Sequence, residues 1–172
     1  MTRNVLVLSA VVSSLLGCAS TYKQNVLTSP SVKLSNTASV LVATPTNGSY
    51  GSNEYAASGA SSASAVRSAF ALHSSVVNVS SNCRDIKCLR SEDNSAHDYY
   101  VVPEILHWED RNTEWSGKSD KVEIKVSVFD GKNGNLLSST VISGKSKWAT
   151  FGGDHPQDLL DEPVNTYVHS LY

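Results

Sequence analysis

Apolar residues recur along the chain with two different periods, and each period predicts one kind of element. Along 121–129 every second residue is apolar, which is the alternation of a β-strand with one buried face. The segment 130–135 contains two glycines and predicts a hairpin loop, after which 136–146 predicts the returning strand. These segments therefore predict an antiparallel hairpin in the second half of the chain.

Short apolar runs predict three further strands, at 38–44, 76–79 and 99–108. A right-handed crossover between the first two would make them parallel. In the third run Pro103 has no amide hydrogen to donate, so we expect a sheet edge or a bulge near it.

Residues spaced three and four positions apart predict the helices. Within 53–74 the predicted buried face is narrow, and we expect it to lie close to a sheet; its members are Tyr55, Gly59, Ala63, Val66 and Phe70. A second face near the C-terminus comprises Val164, Tyr167, Val168 and Leu171. We also expect a short helix within 84–96 and a helical turn that begins at Pro156.

This order of strands and helices predicts an α/β fold. We expect a single compact domain at 38–172, a length that fits one domain. Its mixed sheet should have four or five strands, with a C-terminal antiparallel hairpin, and helices should pack against it.

The N-terminal residues predict a signal peptide at 1–17. Residues 5–16 are apolar or small throughout, a run too short to cross a bilayer, which needs about 20 such residues. The run ends in Leu-Leu-Gly before Cys18, which resembles the bacterial lipobox, in which the cysteine is lipidated after cleavage. Ala19 stands where an aspartate would resemble the signal for inner-membrane retention. We therefore expect a lipid anchor on Cys18 at the periplasmic face of the outer membrane.

The segment 18–37 should contain the lipidated cysteine and then a flexible tether, because it is polar, rich in Ser and Thr, and without periodicity. The formal net charge of the whole chain is −2, and no basic cluster or nucleic-acid-binding module is present in the sequence. We expect no nucleic-acid partner.

Two further cysteines, Cys83 and Cys88, predict a disulfide in an oxidising compartment. A redox pair would more often have two intervening residues than four, and a metal site would need more ligands nearby. Both remain the less favoured alternatives.

Two segments, 108–120 and 147–160, are richer in aromatic and charged residues than the rest of the chain. Exposed Trp and Arg are enriched at interface hot spots, so these segments predict one binding patch if they meet. Alternatively, the tryptophans belong to the core and the charges form surface ion pairs. The candidate patch comprises Trp108, Glu109, Arg111, Glu114, Trp115, Asp120, Trp148, Gly152, Gly153, Asp154, His155 and Pro156.

The same segments leave open an envelope hydrolase that uses Glu109 or Glu114 with Asp154 or His155. The sequence contains no GxSxG, HExxH or CxxC motif. We therefore assign no catalytic residue, expect no metal and no cofactor, and regard an enzyme as the less favoured class.

The runs at 99–120 and 148–160, with the motifs WEDRxTEWSG and GGDHPxDLL, resemble an uncharacterised proteobacterial lipoprotein family, a domain of unknown function. The resemblance covers about residues 36–172 and implies no activity. A looser resemblance is to small α/β domains of outer-membrane lipoproteins that regulate cell-wall synthesis or build secretion assemblies. Together these features predict a membrane-anchored, non-enzymatic binding or assembly module whose partner is an envelope protein or peptidoglycan.

Overall fold

The computed structural model describes residues 20–111, 118–147 and 155–172. In chain order, the elements within them are β1 (Thr21–Thr28), β2 (Ser39–Ala43), β3 (Ser49–Tyr50), β4 (Asn53–Glu54), α1 (Ser58–Ala71), β5 (Val76–Ser80), α2 (Ile86–Glu92), β6 (Tyr99–Glu109), β7 (Lys121–Asp130), β8 (Leu136–Lys145), a 3-10 turn (Pro156–Leu159) and α3 (Asp161–Leu171). Among these described helices, none is long and apolar enough to cross a membrane.

The main sheet is mixed and has the strand order β1-β8-β7-β6-β2-β5. Strand β2 runs parallel to β5 and β6, whereas β6, β7, β8 and β1 pair antiparallel in succession. The predicted α/β fold with a parallel first pair and a C-terminal hairpin is confirmed. The sheet has six strands where four or five were expected. Strands β3 and β4 form a separate short ribbon.

Helices α1 and α3 cover one face of the sheet, and α2 covers part of the other. The first face is formed largely by the alternating aliphatic residues of β7, which lie in one core cluster with Phe70 of α1 and Val168 of α3. On the opposite face, Leu89 of α2 packs with Leu41 and Tyr100. The predicted apolar faces of α1 and α3 are therefore buried, with Tyr55 only partly buried.

The start of α1 lies very close to the chain that leaves β2. A Cβ atom on Gly59 would lie 2.3 Å from the carbonyl oxygen of Pro45, so only glycine fits there. The Gly59 amide also donates a hydrogen bond of 3.1 Å to the side chain of Asn47. The predicted close approach of this small helix face is thus observed.

Strand β1 corrects the prediction of a flexible tether at 18–37. Thr21–Thr28 pairs antiparallel with β8, and most of its side chains are exposed. Hydroxyl groups of β8 strengthen the pairing: Ser138 Oγ donates to the carbonyl of Thr28 at 3.1 Å, and Thr140 Oγ1 donates to that of Asn25 at 3.0 Å. Because the strand is held through its backbone and needs no apolar face, its sequence lacks the alternation that predicts strands.

Strand β6 contains a bulge three residues after Pro103. Ile105 pairs with Ile124 and His107 pairs with Glu123, which leaves Leu106 without a partner on β7. Beyond Val101, β6 also loses its pairing with β2. Pro103 therefore lies in the half of β6 that is paired on one side and next to a bulge, as the sequence predicts.

The short helix within 84–96 is observed as α2, and it ends earlier than the predicted segment, at Glu92. Asp85 caps its N-terminus by accepting a 2.9 Å hydrogen bond from the amide of Cys88. Cys88 also forms the predicted disulfide with Cys83. The bond joins the start of α2 to the chain that leaves β5.

Candidate functional site

The charged residues of the first dense segment meet at one end of the main sheet, where β6 ends, β7 begins and β8 ends. Glu109 pairs with Lys121 across β6 and β7, and Lys121 pairs with Lys145 across β7 and β8. We call the group formed there by Tyr50, His107, Glu109, Arg111 and Lys121 the Glu109 cluster.

Glu109 is the centre of this cluster. Its carboxylate is only 2% exposed and interacts with three cationic or titratable groups. His107 Nε2 lies 3.1 Å away, Lys121 Nζ lies 3.2 Å away, and the Arg111 guanidinium donates to the second carboxylate oxygen. Burial pushes the pKa of Glu109 upward, but the hydrogen bonds from these three groups outweigh it and lower the pKa below 4.5. The carboxylate is therefore held in its charged form.

The ring of Tyr50, from β3, covers the cluster on its outer side. The Arg111 guanidinium carbon lies 5.1 Å from the ring centroid, in the range of a cation–π contact. His107 meets the same ring edge-on, with centroids 5.4 Å apart. No sequence motif marks Tyr50 or Lys121 as part of this cluster. Tyr50 lies far from Glu109 in sequence, and Lys121 becomes a partner only when β6 and β7 are aligned.

Asp120 connects the ends of the strands beside the Glu109 cluster. Its carboxylate is mostly buried and accepts a hydrogen bond from the backbone amide of Arg111. Its own amide donates to Ser146 Oγ at 2.9 Å, and the Ser146 amide donates to its carbonyl at 3.0 Å. Burial raises the pKa of Asp120. These bonds join the residues that follow β6 and β8 to the residue that precedes β7.

His155 connects the second dense segment to the first. Its Nδ1 lies 3.2 Å from a carboxylate oxygen of Asp110, and this contact raises the pKa of His155. The His155 amide donates to the side chain of Asp158 at 3.0 Å, which fixes the start of the 3-10 turn at Pro156. The structure therefore brings described parts of the two segments together.

Trp108 is a correction to the candidate patch. It is 2% exposed and belongs to the main core cluster, so it forms no part of a surface. Gly48 lies against it so closely that a Cβ atom there would come within 2.5 Å of the Trp108 Cβ. Glu109 and Asp120 are likewise buried, so a partner could not contact them directly, and they act by positioning the residues around them.

Six predicted patch residues lie outside the described residues, namely Glu114, Trp115, Trp148, Gly152, Gly153 and Asp154. Of the described patch residues, Arg111 and His155 are accessible at the surface, while Pro156 is buried. Within the described part of the candidate site, the accessible side chains include Arg111, Lys121, His155 and Tyr50, and the carboxylate of Glu109 is buried.

The Glu109 cluster is better suited to fixing the positions of its surface side chains than to transferring protons. A general acid needs a pKa near the working pH, whereas the pKa of Glu109 moves in the opposite direction. Among the described residues, the group that comes nearest to a metal-ligand set is Cys83, Cys88 and Glu92, but its two thiols are joined in the disulfide.

Comparison with known proteins places this fold and sequence in context. A family model described as a domain of unknown function, DUF4823, matches residues 32–171. This agrees with the expected membership of an uncharacterised family. No curated protein matches the sequence at a significant level.

Several solved structures share the fold. PelC from Paraburkholderia phytofirmans, described as a dodecamer, has a TM-score of 0.65 at 15% identity, over 89% of this chain and 97% of that one. A DUF330-family protein from Xanthomonas campestris has a TM-score of 0.52 at 13% identity, over 84% and 93% of the two chains. A lipoprotein from Neisseria meningitidis is a looser match, with a TM-score of 0.46 at 18% identity over 77% and 96%, and it carries no argument about this chain. At these identities the likeness concerns the fold alone.

Proposed function

The chain belongs to the DUF4823 family, a domain of unknown function, and on that premise we propose that it is a lipid-anchored, non-enzymatic binding or assembly module of the bacterial cell envelope. The proposed anchor is an acylated Cys18 at the periplasmic face of the outer membrane. The proposed partner is an envelope protein or peptidoglycan.

The anchor rests on the sequence that ends at Cys18. A short apolar run, a Leu-Leu-Gly-Cys junction and the absence of an aspartate after the cysteine agree with one another. Acyl chains on the cysteine would hold the domain at a membrane, because each buried methylene contributes about 0.8 kcal/mol.

The observation that favours binding over catalysis is that the Glu109 carboxylate is paired with His107, Arg111 and Lys121. A carboxylate with three such partners is a weak base and a poor acid, but it fixes the geometry of the residues around it. The cluster would act as a rigid base for a patch that includes Trp115, Trp148 and residues 152–156. The dodecamer described for PelC supports the assembly side of the proposal at the level of fold only.

The test is photo-crosslinking in cells that produce the full lipidated chain. A photoreactive residue in place of Trp115 should yield a discrete adduct with one partner. A photoreactive residue in place of the exposed Asn133, in the hairpin at the other end of β8, is the matched control and should not yield that adduct. Trp148→Ala should abolish the adduct without changing the melting temperature.

The same adduct from both positions, or none from Trp115, would contradict the proposal. Arg111→Ala is unsuitable for this experiment, because it removes a partner from the buried carboxylate of Glu109 and would disturb folding as well as binding.

An envelope hydrolase is the second candidate, and the contact between Asp110 and His155 is the observation that favours it. A carboxylate that orients a histidine is a common arrangement in nucleophilic catalysis. His155→Ala and Asp110→Asn should then abolish hydrolysis of peptidoglycan or of model esters by the purified protein. The binding proposal predicts no turnover above a heat-denatured control for the unaltered chain.

A further inference from the structure

Strand β1 begins three residues after Cys18, at Thr21. A chain of three residues spans at most about 10 Å even when fully extended. If Cys18 carries the lipid, as the proposed function states, Thr21 is held within that distance of the membrane. The orientation of the domain then depends on which part of the sheet lies beside Thr21.

The strand register places Thr21 at the same end of the sheet as the Glu109 cluster. Thr21 pairs with Lys145, Lys145 pairs with Lys121, and Lys121 pairs with Glu109. These four residues form one row across β1, β8, β7 and β6. The opposite end, with the hairpin at 130–135, is farther away by the length of β8, which is about 30 Å.

The end beside Thr21 is rich in cations although the whole chain has a formal net charge of −2. Lys118, Lys121 and Lys145 are exposed there, and Lys147 is partly exposed. Among the described residues that end β6, begin β7 and end β8, the acids are Glu109, Asp110 and Asp120, of which Glu109 and Asp120 are buried and hydrogen-bonded within the protein. The described surface along this row of strand ends is therefore basic.

We propose that this end of the sheet rests on the membrane surface, with Lys118, Lys121, Lys145 and Lys147 against anionic lipid headgroups. Basic residues close to a membrane are attracted to anionic lipids, and the attraction is screened within a Debye length. The three-residue link to Cys18 and the basic surface lie at the same end of the sheet, so both bring that end towards the membrane. The accessible, described residues of the candidate patch, Arg111 and His155, consequently lie close to the headgroup region, where a partner would reach them.

The test uses the lipidated mature chain in vesicles that contain phosphatidylglycerol and a lipid with a photoreactive headgroup. After irradiation, the labelled peptides are mapped by mass spectrometry. Peptides that contain 118–121 and 145–147 should carry most of the label, and the hairpin 130–135 should carry little. Equal labelling of both ends, or stronger labelling of the hairpin, would overturn the proposed orientation.

Charge reversal separates electrostatic docking from mere proximity. The double variant Lys145→Glu and Lys147→Glu should lose most of the label at this end. The matched control, Lys87→Glu with Lys132→Glu, makes the same charge change at exposed residues of α2 and the hairpin, and it should label like the unaltered chain. Vesicles of phosphatidylcholine alone should reduce the label severalfold. If neither the lipid nor the first variant has an effect, headgroup binding is excluded.

A flexible insertion after Ser20 tests the contribution of the short link. A long Gly-Ser linker at that position lengthens the link between the domain and Cys18, while the basic surface is unchanged. Labelling at 118–121 and 145–147 should decrease and become more sensitive to salt. Unchanged labelling would show that the link does not orient the domain.

The intact mass of the vesicle-bound protein distinguishes failure of this inference from failure of the proposed function. If the protein carries acyl chains but the wrong end is labelled, only the orientation is wrong. If Cys18 carries no lipid, the anchor and the orientation that rests on it both fail.

Discussion

At the scale of single residues, Asp93 is a carboxylate whose side chain is only 3% exposed and which accepts four hydrogen bonds. Its carboxylate accepts from the amide and the ring of His97 at 2.7 and 2.8 Å, from the amide of Ser95 at 2.9 Å and from the hydroxyl of Tyr100 at 2.9 Å. Burial raises its pKa, but these bonds outweigh burial and lower the pKa from 3.8 to about 2. One carboxylate thus joins the end of α2 to the start of β6.

Asp93→Asn should lower the free energy of unfolding at pH 7 by about 2 kcal/mol. Because the folded-state pKa lies below the unfolded-state value, this stability is present above about pH 4 and is lost as the pH falls from 3.8 towards 2. Urea denaturation at several pH values measures both effects. The exposed Asp161→Asn is the control and should change stability by less than about 1 kcal/mol. An Asp93 variant that keeps the acid sensitivity of the unaltered chain would contradict this account.

Glu109→Gln should lower the free energy of unfolding by about 1–3 kcal/mol. The substitution keeps the shape of the side chain but leaves Arg111 and Lys121 without their buried counter-charge. The loss is smaller than for a fully buried pair, because both cations are partly exposed. The pKa of Glu109 is lowered in the folded protein, so its contribution is present above pH 4.5 and is lost as the pH falls. Thermal and urea denaturation at neutral pH measure the difference.

The control for that prediction is Glu104→Gln in the same strand. Glu104 is exposed and 3.4 Å from Lys125, so its replacement should cost less than about 1 kcal/mol. Equal effects of the two substitutions would mean that the cluster does not stabilise this end of the sheet.

The sequence could indicate which charged residues of the site lie near one another, but not which aromatic residues are exposed. Glu109 and Arg111 stand two residues apart, and the second segment was expected to meet the first. Alternation counted from Val101 would place Trp108 on the face opposite the main core. The unpaired Leu106 shifts the phase by one residue, so Trp108 faces the core beside Val122. A bulge of this kind has no clear mark in a single sequence.

At the scale of secondary-structure elements, whether the sequence predicts an element depends on the contacts that hold the element in the fold. Strand β7 and helices α1 and α3 bury one apolar face each, and β2 is an apolar run, so their sequences predict them. Strand β8 buries mostly Ser and Thr side chains, and it is predicted by the hairpin loop that precedes it. Strand β1 is held by its backbone pairing with β8 and by hydroxyl donors from Ser138 and Thr140. Those contacts require no particular side chains in β1. A polar segment of this kind therefore predicts a tether although it folds as a strand.

Gly59→Ala tests the packing of α1 against the chain that leaves β2. The added Cβ atom would lie 2.3 Å from a backbone oxygen of Pro45, and backbone cannot move aside as a flexible side chain can. We expect a loss of about 2 kcal/mol or more in the free energy of unfolding, although alanine favours helices. The exposed Ser64→Ala in the same helix should be neutral or slightly stabilising, and thermal denaturation compares the two. A neutral Gly59→Ala would contradict the close approach.

At the scale of the whole molecule, the fold and the proposed anchor are connected by a short stretch of chain. The sequence pattern predicts an α/β domain and a lipidated cysteine with a long flexible tether between them. Strand β1 leaves only residues 19–20 between Cys18 and the sheet. The domain is therefore expected to lie directly on the membrane, and this follows from strand pairing that the sequence pattern does not reveal.

The central claim is that Cys18 anchors this domain to a membrane, and intact mass spectrometry of the protein extracted from membranes tests it most directly. The predicted result is a chain that begins at Cys18 and carries acyl chains, while the Cys18→Ala variant keeps its signal peptide and carries no lipid. A chain without acyl groups in the soluble fraction, with Cys18 present and unmodified, would contradict the account.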